Sequence, residues 1–116
     1  MADCIFCKIA AGEVPAKIVR RTPEAVAFHD LMPQAPAHLI IIPTSHFVAV
    51  RDAARGPGGE AMLGRLMAFA AEVATELGLD AGGYRIVTNT GADGGQSVFH
   101  LHLHLLGGRR LGWPPG

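Results

Sequence analysis

The chain has no surplus of charge: ten basic and ten acidic side chains cancel over its 116 residues. Nucleic acid and anionic membrane surfaces usually select a basic excess, so the expected partner is a small molecule or another protein. No apolar stretch approaches the ~20 residues that a membrane-spanning helix needs. Met1-Ala2-Asp3-Cys4 also lacks a basic segment followed by an apolar run, which makes a cytoplasmic protein the expectation. Cysteine is scarce. Cys4 and Cys7 are too few for a disulfide framework, and as a C-x-x-C in a reducing compartment they point to metal or redox chemistry before a structural disulfide. Internal repeats and a domain linker are missing too, so residues 1–116 are expected to form one domain. That length supports a sizeable core, yet is short enough that the active cleft can need a second subunit.

Histidine, by contrast, is concentrated. Three of the six histidines alternate with leucines in Val98-Phe99-His100-Leu101-His102-Leu103-His104-Leu105-Leu106. A period of two is that of a β-strand, which puts the imidazoles on one face and Leu101, Leu103 and Leu105 on the other. The leucine face can bury itself; the histidine face needs another reason to exist. Neighbouring histidines on a strand are roughly 6.5 to 7 Å apart, and His100 and His104 on the order of 13 Å. Metal bonds of about 2 Å cannot close that gap, so a regular strand excludes a single ion shared by all three. Three groups with separate jobs fit better. Imidazole offers nucleophile, proton donor and ligand near neutral pH.

Around this row the pattern predicts an α+β domain: an antiparallel sheet of about five strands with one long and one short helix. Asp3 can cap the short helix over Cys4 to Ala11, which Gly12 ends. Strands are expected at Lys17–Arg21, Ala25–His29, His38–Ile42, Tyr84–Asn89 and along the histidine row. The continuous apolar run of the third suggests burial on both faces. Met62, Leu63, Leu66, Met67, Ala70, Val73, Ala74 and Leu77 recur at helical spacing after the loop Arg55-Gly56-Pro57-Gly58-Gly59, with Gly78 as C-cap. That stripe is core or dimer interface. Most connections between strands are too short for parallel crossovers.

Several separated motifs, in order along nearly the whole chain, resemble the histidine triad superfamily of nucleotidyl hydrolases and transferases, specifically its Hint branch of nucleoside phosphoramidases. They are Ile5-Phe6, Val14-Pro15-Ala16-Lys17-Ile18, Ala27-Phe28-His29-Asp30, Gln34-Ala35-Pro36-Ala37-His38, Ile42-Pro43, Asn89, Asp93-Gly94-Gly95-Gln96-Ser97, the triad, and Trp113-Pro114-Pro115-Gly116. The resemblance implies hydrolysis of purine nucleoside 5′-phosphoramidates, in which His102 attacks phosphorus, an amine leaves, and water hydrolyses the nucleotidyl-histidine. His104 would serve the leaving group and phosphate oxygens, and His38 would complete the site. Asn89, Ser97, Gln96 and backbone N–H groups at Gly95 would hold the phosphate. Asp30 would accept the ribose hydroxyls. Ile5, Phe6, Ile9, Phe28, His29 and Leu31 would form an apolar slot for the base. Such a slot favours purines by area while barely separating adenine from guanine.

The Cys4-x-x-Cys7 pair departs from the animal Hint pattern and is similar to bacterial members. In those the resemblance implies a structural zinc, here held by Cys4, Cys7, His46 and His100, a Cys₂His₂ set of the right number and type. It also implies a homodimer that extends the sheet, with Trp113 packed across the two-fold axis near the partner's site. Plainer roles stay open: reduced thiols at Cys4 and Cys7, a surface His46, a strand-capping Asn89, and an Asp30 that only begins the turn at Met32-Pro33. The rival activities are a dinucleoside polyphosphate hydrolase and a nucleotide-binding interaction module without significant turnover.

Overall fold

The computed structural model describes residues 3–116; Met1 and Ala2 of the expected domain lie outside the described residues. The elements run α1 (Ile5–Ala10), β1 (Ile18–Arg21), β2 (Ala25–His29), β3 (Ala37–Pro43), α2 (Val50–Arg55), α3 (Gly59–Glu76), β4 (Tyr84–Val87) and β5 (Leu103–Gly107). The strands form a single antiparallel sheet in the order β1-β2-β3-β5-β4. β1 and β4 are its edges. β3 is central, and its Leu39, Ile41 and Ile42 are fully buried, as its unbroken apolar run requires.

Alternation along each strand sorts side chains onto two faces. Leu39 and Ile41 of β3, with Leu101, Leu103 and Leu105, meet Leu66, Phe69, Ala70 and Val73 of α3. Burying each such leucine contributes on the order of 2 kcal/mol. On the opposite face Val26, Phe28, Ile40 and Ile42 pack against Phe6 and Ile9 of α1. The site sits on this second face, under the short helix.

Three sequence expectations need correction. The histidine row is not one strand: β5 begins at Leu103, and His100 and His102 lie in the irregular segment before it. Its leucines still alternate into the α3 core, which is the signal that the pattern carried. Two helices were expected and a third, α2, exists; its six residues are too few for periodicity to reveal, and it is held by Asp52, whose carboxylate accepts the Ala49 N–H at 3.0 Å, and by buried Ala53. The N-cap of α1 is Cys4, not Asp3, with the Cys7 N–H donating to Cys4 Sγ at 3.3 Å. Boundaries also shift by one or two residues: α1 is one residue shorter at each end, β1 starts one residue late, β3 extends to Ala37 and Pro43, and β4 ends at Val87, so Asn89 follows the strand.

Candidate active site

A cleft of about 390 Å³ opens between α1, the segment leading into β1, and the end of β2. Ile5, Phe6 and Ile9 line it from α1, Phe28 and His29 from β2, and Asp30 and Leu31 from the turn beyond. Ser97, His102 and His104 close its far end. Phe6 is the central wall, edge-on to Phe28 at 5.6 Å and to His102 at 5.1 Å. His29 is on the wall, exposed at the end of β2. Leu31 is 89% exposed, a rim rather than an enclosed surface.

The hydrogen bonds of the histidines determine which nitrogen each presents. A carbonyl can only accept, so the contact of His102 Nδ1 with the His100 carbonyl at 2.7 Å places the proton on Nδ1. Neutral His102 then has its lone pair on Nε2. No buried side-chain nitrogen or oxygen among the described residues lacks a partner, so this unbonded Nε2 is open to the cleft. A backbone N–H can only donate, so Gln34 N–H, 3.0 Å from His38 Nδ1, makes that nitrogen an acceptor. His38 therefore carries its proton on Nε2 and donates to His104 Nδ1 at 2.8 Å. His104 in turn carries its proton on Nε2, facing the cleft. Burial pulls the His104 pKa down to about 4, helped by His102 and His38 and opposed by Asp30. Burial also lowers that of His38, again against Asp30. Both rings are neutral at physiological pH. The cleft is thus served by one imidazole lone pair and, beside it at a ring separation of 5.0 Å, one imidazole N–H.

Asp30 Oδ1 accepts the Met32 N–H at 2.8 Å and Oδ2 lies 3.3 Å from His38 Nε2, so Asp30 does begin the turn while bordering the cleft. Asp30, His38 and His104 are close enough to suggest a ligand group. The Gln34 N–H argues otherwise, because it leaves the His38 proton on Nε2, where an ion would have to bind. Ser97 is exposed at the cleft with a free hydroxyl. Gln96 instead ties its loop to the one after β3, its amide accepting from Gly91 N–H at 2.9 Å and donating to the Val48 and Val98 carbonyls at 2.6 and 3.1 Å. Asn89, Gly95 and Trp113 are off the cleft wall. Gly95 has a φ of 78°, a conformation natural only to glycine. Trp113 is 82% exposed in the single chain and meets the Arg85 guanidinium at 5.9 Å.

Behind Phe6 lies a second cluster. His100 Nε2 donates to the Pro43 carbonyl at 3.0 Å, which leaves its Nδ1 lone pair facing Cys4 Sγ at 3.3 Å, Cys7 Sγ at 3.5 Å and His46 Nδ1 at 3.2 Å. Cys7 Sγ is 3.3 Å from His46 Nδ1. Bonds of about 2.3 Å to sulfur and about 2.05 Å to nitrogen around a tetrahedral ion give edges of about 3.6 Å and about 3.3 Å. These four distances are close to that frame and all four donors lie within 4.8 Å of one another; the carbonyl behind His100 is the usual outer partner of a ligating histidine. The group can hold a metal ion. Residues three, thirty-nine and ninety-three positions from Cys7 are brought to one point by α1, the loop after β3 and the segment before β5.

Residue types alone did not reveal the backbone partners. The His100 and Pro43 carbonyls and the Gln34 N–H fix the orientation of the imidazoles, yet any residue carries those groups. Lys17, Met32 and Val98 also line the cleft. Lys17 stood inside a resembling motif; nothing in the pattern marked the other two.

Comparison with known proteins agrees with this geometry. A family model described as the HIT domain matches residues 11–111. The purine nucleoside phosphoramidase of Escherichia coli K12 is 44% identical over 110 residues, covering 95% of this chain and 91% of its own. Protein HitA of Neisseria gonorrhoeae is 47% identical over 107 residues, covering 92% and 97% respectively. The crystal structure of a HIT family hydrolase from Legionella pneumophila superposes with a TM-score of 0.93 at 46% identity, over 98% of this chain and all of the other. With the triad, its supporting hydrogen bonds and nearly the full length all in agreement, the chain belongs to the HIT domain family.

Proposed function

We propose that the protein hydrolyses purine nucleoside 5′-phosphoramidates to the nucleoside monophosphate and an amine. The observation that carries this reading is the orientation of His102: its Nδ1–H is committed to the His100 carbonyl, which leaves the Nε2 lone pair at the end of an apolar slot. The resemblance to a purine nucleoside phosphoramidase supports it. In the first step His102 Nε2 forms a bond to phosphorus as the phosphorus–nitrogen bond breaks, and the leaving amine takes a proton from solvent. The positive charge that develops on the imidazole is stabilised through Nδ1–H by the carbonyl. In the second step water attacks phosphorus, His102 leaves with its lone pair, and the proton is returned to solvent. Neutral His104 donates from Nε2 to the charge growing on the phosphoryl oxygens, joined by the Ser97 hydroxyl, whereas the Gly95 and Gln96 N–H groups are held by the Ala92 and Gly91 carbonyls within their loop. Asp30 accepts the ribose hydroxyls, and Phe6, Ile9 and Phe28 cover the base.

The Cys4, Cys7, His46 and His100 group is read as a structural zinc site. When bound, the ion would tie α1 to the two loops and supply no catalytic step. A homodimer extending the sheet through an edge strand is in keeping with an exposed Trp113.

The test is release of amine from an AMP–amine conjugate by wild type and by His102→Ala. We expect the variant to lose at least about a thousandfold and to form no trapped nucleotidyl-protein; equal rates would remove the nucleophile. Cleavage of a diadenosine polyphosphate but not of phosphoramidates would favour the polyphosphate hydrolase. Tight nucleotide binding without turnover would favour the interaction module.

A further inference from the structure

Arg109 lies just past the end of β5, outside the cleft, and two of its three guanidinium nitrogens are directed at the Gln34 carbonyl. Nε and Nη2 donate to the Gln34 carbonyl at 3.2 and 2.9 Å. The same residue's N–H is the donor that fixes His38, at 3.0 Å from Nδ1. The register explains the reach: antiparallel pairing sets Gly107 opposite Ala37 and Leu106 opposite His38, so the chain leaving β5 must pass over the segment entering β3. Gly108 lets it press close. Its φ is 88°, and a Cβ there would meet Pro36 Cβ at 2.9 Å. The carbonyl of Arg110 takes the remaining Nη1 at 3.1 Å, which leaves the fork well anchored.

We propose that Arg109 is a positioning residue for His104, acting through Gln34 and His38. The sequence of bonds is Arg109 to the Gln34 carbonyl, Gln34 N–H to His38 Nδ1, and His38 Nε2–H to His104 Nδ1. Each link leaves the next ring one choice of tautomer, and the last presents an N–H to the cleft. Without Arg109 the exposed Gln34 segment is free to drift from His38. His38 can then move part of its population to the tautomer with the proton on Nδ1, accepting at Nε2, with Asp30 Oδ2 at 3.3 Å from Nε2 still favouring the original form. His104 must in that case donate from Nδ1, and its Nε2 meets the phosphoryl oxygens with a lone pair instead of a proton. A donor becomes a repulsive acceptor with no change in fold.

This inference rests on the role given above to His104, and the test separates the two. Nitrogen-15 spectra of the histidine rings at neutral pH report the His104 tautomer without any turnover. Wild type should show His104 protonated at Nε2, and Arg109→Ala a mixture of tautomers, while Arg109→Lys, which keeps a donor for the Gln34 carbonyl, restores much of the wild-type spectrum. On an AMP–amine conjugate, Arg109→Ala should lower kcat about tenfold with KM little changed. The same substitution in a His104→Ala background should then cost nothing further. An unchanged tautomer in Arg109→Ala overturns the proposal, as does a full additional loss in the His104→Ala background. Absence of wild-type turnover with the tautomer shift intact would instead overturn the proposed reaction and leave the positioning role standing.

Discussion

At the scale of single residues, the site depends on imidazoles whose orientation is set by backbone groups at His102 and His38, and burial keeps two of them, His38 and His104, neutral. Neutrality has a consequence for pH. His104 titrates at about 4 in the folded chain against an ordinary value of 6.5, and burial lowers His38 as well. The unfolded chain therefore takes up protons that the folded chain refuses as pH falls from about 6.5 towards 4. The stability contributed by the neutral rings is complete above that window and is lost within it. For His104 the effect is at most about 3 kcal/mol. Thermal denaturation followed from pH 7.5 to 4 should show a falling Tm, and His104→Gln should flatten that part of the profile. A profile unchanged in the variant would mean that His104 is readily protonated in place.

At the scale of elements, α1 does more than its six residues suggest. An isolated helix of this length is not stable in water, so what holds it is its two buried side chains, Phe6 and Ile9, and whatever engages its cysteines. Cys4 caps the helix, and Phe6 stands between the two sites, edge-on to His100 at 5.9 Å and to His102 at 5.1 Å. Purified, tag-free protein is expected to carry about one zinc per chain. Removing it with a chelator should destabilise the fold by about 4 kcal/mol relative to free zinc at ~1,000 times its dissociation constant. Amide exchange in α1 should quicken at the same time. Folded, metal-free protein with an unchanged Tm and a still-protected α1 would dismiss the zinc.

At the scale of the whole molecule, the sheet ends in two open edges, and β4 is the one next to β5. The tail after β5 leaves Trp113 exposed, and Leu31 and Met32 stand uncovered at the rim of the cleft. An exposed Trp113 held to Arg85 of the free edge strand β4 suits a second copy of the chain. Light scattering should give twice the chain mass of 12.2 kDa, and removal of residues 112–116 should weaken that association. A monomer at high micromolar concentration would leave the cleft to be completed by one subunit.

Much of this was legible beforehand, and the reason is periodic burial. A strict alternation of leucine with histidine survives even where hydrogen bonding is irregular, because each leucine must still enter the α3 core. The unbroken β3 run and the long stripe of α3 carry the same kind of message, as do the chemically distinctive residues Cys4, Cys7, His38 and the triad. Short or backbone-borne features left no trace: α2 is too brief for a period, and the carbonyls of His100 and Pro43 and the N–H of Gln34 belong to no residue type. The sequence by itself therefore determined the sheet, the helices with long patterns and the set of reactive groups. Only the tertiary structure decided that His100 turns to the thiols while His102 and His104 turn to the cleft, and which nitrogen each presents. Those choices are made by hydrogen bonds between backbone segments distant along the chain, and they exist only once the chain has folded.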